Sequence, residues 1–266
     1  MKILIITVLA LALVACESVS TTQPGAVGIN RQQMMFVSSD EVNAAAAQEY
    51  RKVIADAQAK GKLDRNATNL QRVRNVANRL IPQTAAFRPD APKWAWEMHV
   101  IEDPQLNAWA MPGGKMVVYS GLIDKLRLTD DELAAIMGHE IAHSLREHAR
   151  ERISQETASG AVLGVAGAVL GLGEVGQSLA NAVAQVTFTL PHSRTHETEA
   201  DRLGVELAAR AGYDPHAAVS VWQKMLQAGN SGGPQFLSTH PSPETRLADL
   251  KVYADRVMPL YQQARR

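Results

Sequence analysis

His139 and His143 lie four residues apart in "GHEIAHSLREHARE", Gly138 to Glu151, with Glu140 beside the first of them. Residues four apart share one face of a helix, so two imidazoles at that spacing can share an ion. Glu140 then sits close enough to touch a water on that ion. Two nitrogen ligands and a carboxylate base are what a zinc hydrolase needs. Zinc brings a water's pKa toward neutrality, and the carboxylate takes its proton. An HExxH string also arises by chance, so a third ligand has to be found.

His148 is the nearest candidate. On a continuous helix it stands about 180° from His139 and about 140° from His143, and so cannot reach the same ion. The metzincin pattern brings in a third local histidine with Gly at a turn and His six residues after the second ligand. Arg146 and Ala149 occupy those positions here. His148 is therefore expected to be a surface or packing residue. Better candidates lie in "SRTHETEAD", Ser193 to Asp201. Glu197 and Asp201 are four apart on one helical face. One could bind zinc while the other accepts a hydrogen bond from a ligand histidine. The same spacing also suits an ordinary solvated helix.

These residues need rigid elements. Thr129 and Glu132 have capping-box spacing, and Asp130 and Asp131 suit the first turn of a helix dipole. This predicts a helix from there to about Ser154. "WAWEMHVIED", residues 94–103, alternates and reads as a strand; Lys115 to Ser120 reads as a second, after a Pro112-Gly113-Gly114 turn. The two are expected to pair as a hairpin. Other helices are expected from about Ser39 to a stop at Gly61, from Asn66 to about Leu80 before Pro82, and over roughly 157–188, 194–212, 214–228 and 243–263. Thr157 to Gly173 carries no charge and is rich in Gly and Ala. It reads as a helix packed on the core or lidding it, with contact with a membrane as the alternative.

With "GHEIAH" and "SRTHETEAD" in place, the chain resembles the M48 peptidases, gluzincin-type zinc metalloproteases with an HExxH…ExxAD signature. "NAWAMPGGKMVVYSGLI" resembles the family segment before the active-site helix, and "STHPSPETRLADL" its carboxy-terminal HP…R element. The four blocks run from Asn107 to Leu250 in family order. The resemblance implies an α+β, predominantly helical zincin-like fold with a small antiparallel hairpin or sheet beside the active-site helix. It implies one Zn2+ held by His139, His143 and Glu197, with Glu140 as base and Asp201 supporting a ligand. His240 occupies the position of a histidine near the metal, where it could steady the oxyanion or cap the zinc. Glu199, about 200° round the helix from Glu197, is expected to point elsewhere. His196 and His216 are read as surface residues. His192 stands where relatives are expected to carry an aromatic, and adds a possible stray ligand. Gluzincins bind an extended peptide along an exposed strand edge. Lys115 to Ser120 is the candidate edge, with Asn107 and the backbone of Ala108 to Ala110 as nearby contacts.

The ends and totals place this domain. The chain has 266 residues, 46% of them apolar, which suits one sizeable domain. Formal net charge is zero, so nothing in the composition suggests nucleic acid as a partner. Residues 1–15 combine Lys2 with an apolar run ending in "LVAC", Leu13 to Cys16, which resembles a bacterial lipobox. Cys16, the sole cysteine, would then be lipidated and hold the protein on a membrane without a transmembrane helix. Residues 16–38 read as the lipidated amino terminus and a flexible tether, and 39–266 as the peptidase domain. Glu17 rather than Asp after the cysteine favours the outer membrane, facing the periplasm. The whole resembles envelope lipoprotein members of the family, which implies unfolded or misassembled envelope polypeptides as substrates. A second reading is an outer-membrane assembly adaptor or chaperone with a latent zinc site, since a fourth protein ligand at His240 would displace the catalytic water.

Overall fold

The computed structural model describes residues 17–159, 175–229, 235–241 and 245–266. The strands are β1 (Glu17–Val19), β2 (Gln33–Met35), β3 (Glu97–Ile101), β4 (Ala108–Met111) and β5 (Lys115–Tyr119). The helices are α1 (Ser39–Ala59), α2 (Ala67–Gln83), α3 (Ser120–Lys125), α4 (Asp130–Leu145), α5 (His148–Ala158), α6 (Val175–Phe188), α7 (Arg194–Arg210), α8 (Ala217–Gly229), α9 (Gln235–Thr239) and α10 (Arg246–Ala264). The predominantly helical α+β class expected from the sequence is what is found.

Helix α4 is the centre of the fold. Its capping box is complete: Thr129 Oγ1 accepts from the Glu132 N–H at 3.2 Å, and Glu132 Oε2 accepts from the Thr129 N–H at 2.9 Å. Every residue from Glu132 to Leu145 is buried. The helix has no solvated face because it lies between the sheet and α7, which in turn packs on α10. The crossing of α4 and α7 is unusually close. A Cβ at Gly204 would fall 2.7 Å from the His139 nitrogen, and one at Gly138 2.8 Å from the Gly204 carbonyl oxygen. Two glycines facing one another therefore bring the two helix backbones together at the level of the first metal-ligand candidate.

The sheet differs from the expected hairpin. Strand order is β3-β5-β4, with β3 parallel to β5 and β4 antiparallel to it. Pro112-Gly113-Gly114 is short enough only to join neighbouring strands, and both glycines have positive φ (79° and 80°). The hairpin is therefore β4–β5, which the expected pairing of 94–103 with 115–120 passed over. The chain between β3 and β5 is long enough to bring β3 alongside in parallel. As a result Lys115 to Tyr119 is the central strand and offers no edge to a peptide. The edge strands are β3 and β4, and β4 is the one packed beside α4.

Residues 17–38 also differ from a free tether. β1 pairs with β2, and Val27 and Ile29 are buried in the main core. Ser, Thr, Gly and Pro gave this stretch the composition of a linker, but a few apolar and polar anchors suffice to dock it. The Gly/Ala-rich stretch 157–173 lies outside the described residues from 160 onward, as does Cys16. Among the described residues no helix is long and apolar enough to cross a membrane.

Candidate active site

Four side chains from three parts of the chain converge beneath β4. His139 and His143 project from one face of α4, Glu197 from the first turn of α7, and His240 from just after α9. All four are buried. Ser193 starts α7 by accepting the His196 N–H at 3.1 Å, which sets where Glu197 falls on that helix. His139 Nε2 and His143 Nε2 are 3.1 Å apart, His139 Nε2 and Glu197 Oε2 3.6 Å, and His143 Nε2 and Glu197 Oε1 3.3 Å. A tetrahedral zinc with ligands at about 2.0–2.1 Å has ligand–ligand separations of about 3.3 Å. His240 Nδ1 completes the group, 3.2 Å from His139 Nε2 and 2.9 Å from Glu197 Oε1.

The chemistry of the donor set fits that ion. Burial pushes the His143 imidazole down to about 3, so it is a neutral ligand. Burial opposes ionisation of Glu197, but the electrostatic surroundings set by the His240 and His139 rings hold its carboxyl well below the usual range. Glu197 Oε2 is buried without a hydrogen-bond partner. Facing imidazole nitrogens beside an ionised, buried carboxylate make a donor set that could hold a metal ion. Outside the cluster, Asp201 Oδ1 accepts from His139 Nδ1 at 2.9 Å, which leaves Nε2 free as a donor to metal. Asp201 is itself held by Arg246 Nη2 at 2.6 Å. Arg246 lies over the Trp222 ring, and its Nη1 is 3.1 Å from Glu197 Oε2 without hydrogen-bonding geometry. Arg246 is the arginine of the HP…R element, and the residues it joins come from one helix while it comes from another.

Glu140 lies on the cleft side of the cluster. Burial raises its carboxyl pKa. Oε2 accepts the N–H of Ala110 at 3.1 Å, while Oε1 is buried without a hydrogen-bond partner, 3.5 Å from His240 Nε2. The cleft is walled by Trp109, Ala110, Glu140, His143, His192 and His240, among others. Ala110 therefore borders it. Ala108 opens β4 and Asn107 just precedes it, and the Asn107 carbonyl accepts the Tyr119 N–H.

Of the remaining histidines, only His196 lies where it was not expected, though His148 arrives by an unexpected route. The helix expected to run to Ser154 breaks after Leu145, where Glu147 takes φ 49° under ion pairs from Arg88 and Arg150. The angular argument for His148 assumed no break. His148 is fully buried, with Nδ1 2.9 Å from His143 Nδ1, although it does not join the converging ligands. His196, expected on the surface, is buried and stacks on His148 with ring centroids 4.2 Å apart. Its neighbours His148 and Glu151 come from α5, a contact no local pattern shows. His192 stacks against His240 and lies 4.2 Å from the His143 ring, so it is near the centre but outside its ligand atoms. Glu199 points away from the cluster, as expected, but into a buried network. His216 is on the surface beside Asp255.

The comparisons agree with this geometry. The profile of Peptidase family M48 matches residues 67–254, well over half the chain. The mitochondrial metalloendopeptidase OMA1 of Schizosaccharomyces pombe is 38% identical over 160 residues, 59% of this chain and 46% of its own. The mitochondrial metalloendopeptidase OMA1 of Bos taurus is 36% identical over 180 residues, 62% of this chain and 32% of its own. The β-barrel assembly-enhancing protease of Escherichia coli K12 is 32% identical over 187 residues, 65% of this chain and 37% of its own. The alignments thus span less than half the length of each of these three relatives. The segment matched by the profile contains all four converging side chains, and the chain belongs to peptidase family M48.

Proposed function

We propose that this protein is a zinc endopeptidase that hydrolyses peptide bonds in unfolded polypeptide. The observation that carries this is the convergence of His139, His143 and Glu197 with the unpartnered Glu140 Oε1 beside them. Zinc held by these residues supplies Lewis acidity toward a scissile carbonyl and toward water. Glu140 Oε1 accepts the proton of the attacking water, and the same carboxyl returns it to the leaving amine. The Ala110 N–H points outward from β4 onto Glu140, so an extended chain along the β4 edge would lie beside that carboxylate. Such binding reads backbone rather than particular side chains.

His240 Nδ1 takes the place a fourth ligand would take, and that supports a resting, capped arrangement over a role in steadying the oxyanion. The test is cleavage of an unfolded polypeptide by zinc-loaded protein. Chelation should abolish cleavage, zinc should restore it, and His240→Ala should raise it. Loss of cleavage in His240→Ala would return His240 to the oxyanion role; indifference to chelation would refute the metal.

The setting is a bacterial envelope, with lipid on Cys16 as the anchor and the outer membrane, on its periplasmic side, as the site. The lipobox-like "LVAC" supports this, as does similarity to a relative named for β-barrel assembly. Misassembled envelope proteins are then the substrates. Cys16→Ala should abolish incorporation of radiolabelled palmitate in cells. Persistent label would refute lipidation there.

A further inference from the structure

We propose that His148 is a positioning residue for the metal ligand His143, clamped in turn by the amino-terminal segment through Arg31 and Glu199. The inference rests on His143 being a ligand, as read above. His143 Nε2 faces Glu197 and His139, so its lone pair belongs there and its proton sits on Nδ1. That N–H is 2.9 Å from His148 Nδ1, which must accept it. The proton of His148 is then on Nε2, which donates to Glu199 Oε2 at 3.1 Å. One tautomer at each ring satisfies the whole chain. His139 reaches its carboxylate, Asp201, directly; His143 reaches Glu199 only through a second imidazole.

The rest of the network fixes His148 in plane and rotation. His196 stacks on it with an 8° interplanar angle and donates from Nε2 to Glu151 Oε2 at 3.2 Å. Both glutamates are gripped by Arg31, with Nη1 2.6 Å from Glu151 Oε1 and Nε 2.6 Å from Glu199 Oε1. Arg146 adds a 3.0 Å bond from Nε to Glu199 Oε2, and Gln33 one of 2.6 Å from Nε2 to Glu151 Oε2. Arg31 and Gln33 belong to the segment that looked like a tether.

A second metal held by His148, Glu151 and His196 is the competing use of this cluster. Charge argues against it. Two arginines and two glutamates already sum to zero, and His148 Nδ1 is occupied by His143.

Zinc affinity of the full chain, measured by chelator competition, separates these ideas without any activity assay. His148→Ala should weaken zinc binding by about 10–100-fold, the usual range for a group that orients a ligand. His148→Asn, which keeps an acceptor near the Nδ1 position, should recover most of that. His148→Gln, which reaches toward Glu199 instead, should not. Arg31→Ala should weaken zinc in the same direction, and Arg31→Lys should restore it only partly, because one ammonium cannot span two carboxylates. Unchanged affinity in His148→Ala, or equal affinity of the two amides, overturns the proposal. So does unchanged affinity in Arg31→Ala, two zinc ions per wild-type chain, or failure of both amides to fold, which would assign His148 to packing alone. A wild type that binds no zinc would instead refute the metal centre itself.

Discussion

Glu140→Gln is expected to remove cleavage of an unfolded substrate, by about 10²–10⁴-fold, while zinc content and thermal stability stay near wild type. The substitution keeps shape and leaves the amide oxygen able to accept the Ala110 N–H that Oε2 accepts now, at 3.1 Å. It removes the capacity to take a proton at Oε1, the atom that is buried and unpartnered. None of the ligand atoms changes. Paired measurements of cleavage rate and zinc per chain check this. Cleavage at the wild-type rate would take Glu140 out of the mechanism. Lost zinc would show that its carboxylate helps hold the metal.

The second large effect falls on a residue with no chemistry. Gly204→Ala is expected to destabilise the fold by roughly 1–3 kcal/mol, the usual cost of forcing extra atoms into a filled interior, and to weaken zinc binding as well. The added Cβ would lie 2.7 Å from the His139 nitrogen and 2.9 Å from the Gly138 carbonyl carbon. These are backbone atoms of α4 and cannot swing aside. Relief requires α4 and α7 to separate. His139 and His143 ride on one helix and Glu197 and Asp201 on the other, so separation pulls the ligand set apart. Thermal unfolding with and without zinc, together with zinc titration, reads both effects. A variant as stable as wild type with unchanged zinc affinity would show that the crossing has slack. By contrast, a Cβ at Gly28 meets nothing within 4 Å; its φ of 76° leaves only conformational strain, about 1–2 kcal/mol, and no route to the metal.

Much of the centre was legible because its spacing is helical. His139 and His143, and likewise Glu197 and Asp201, recur at i,i+4, and each pair falls on one face wherever its helix goes. The capping box at Thr129 announced the start of α4 for the same reason: its partners are three residues apart. The sheet was less legible. Alternation marked strand 94–103 and strand 115–120, but four residues, Ala108 to Met111, are too few to show a period, and they are the strand that sets both the pairing and the edge.

The histidines divide along the same line. The angle of His148 followed from a helix that was assumed to continue. The helix ends at Glu147, whose φ is positive and whose carboxylate pairs with Arg88 and Arg150, and neither its residue type nor its neighbours announce a break. Once the chain turned, His148 came back against His143, and His196 and Glu199 could meet Arg31 from far upstream. Composition likewise read residues 17–38 as a linker, because flexible-looking residues outnumber the few that dock.

By itself, then, the sequence determined the family and, through helical spacing and that resemblance, the candidate ligands and base. Tertiary structure decided which strand edge faces the cleft, how close α4 and α7 come, and what stands behind His143. Those depend on contacts between segments distant in the chain, whose positions are set by the packing of the whole core rather than by any local period.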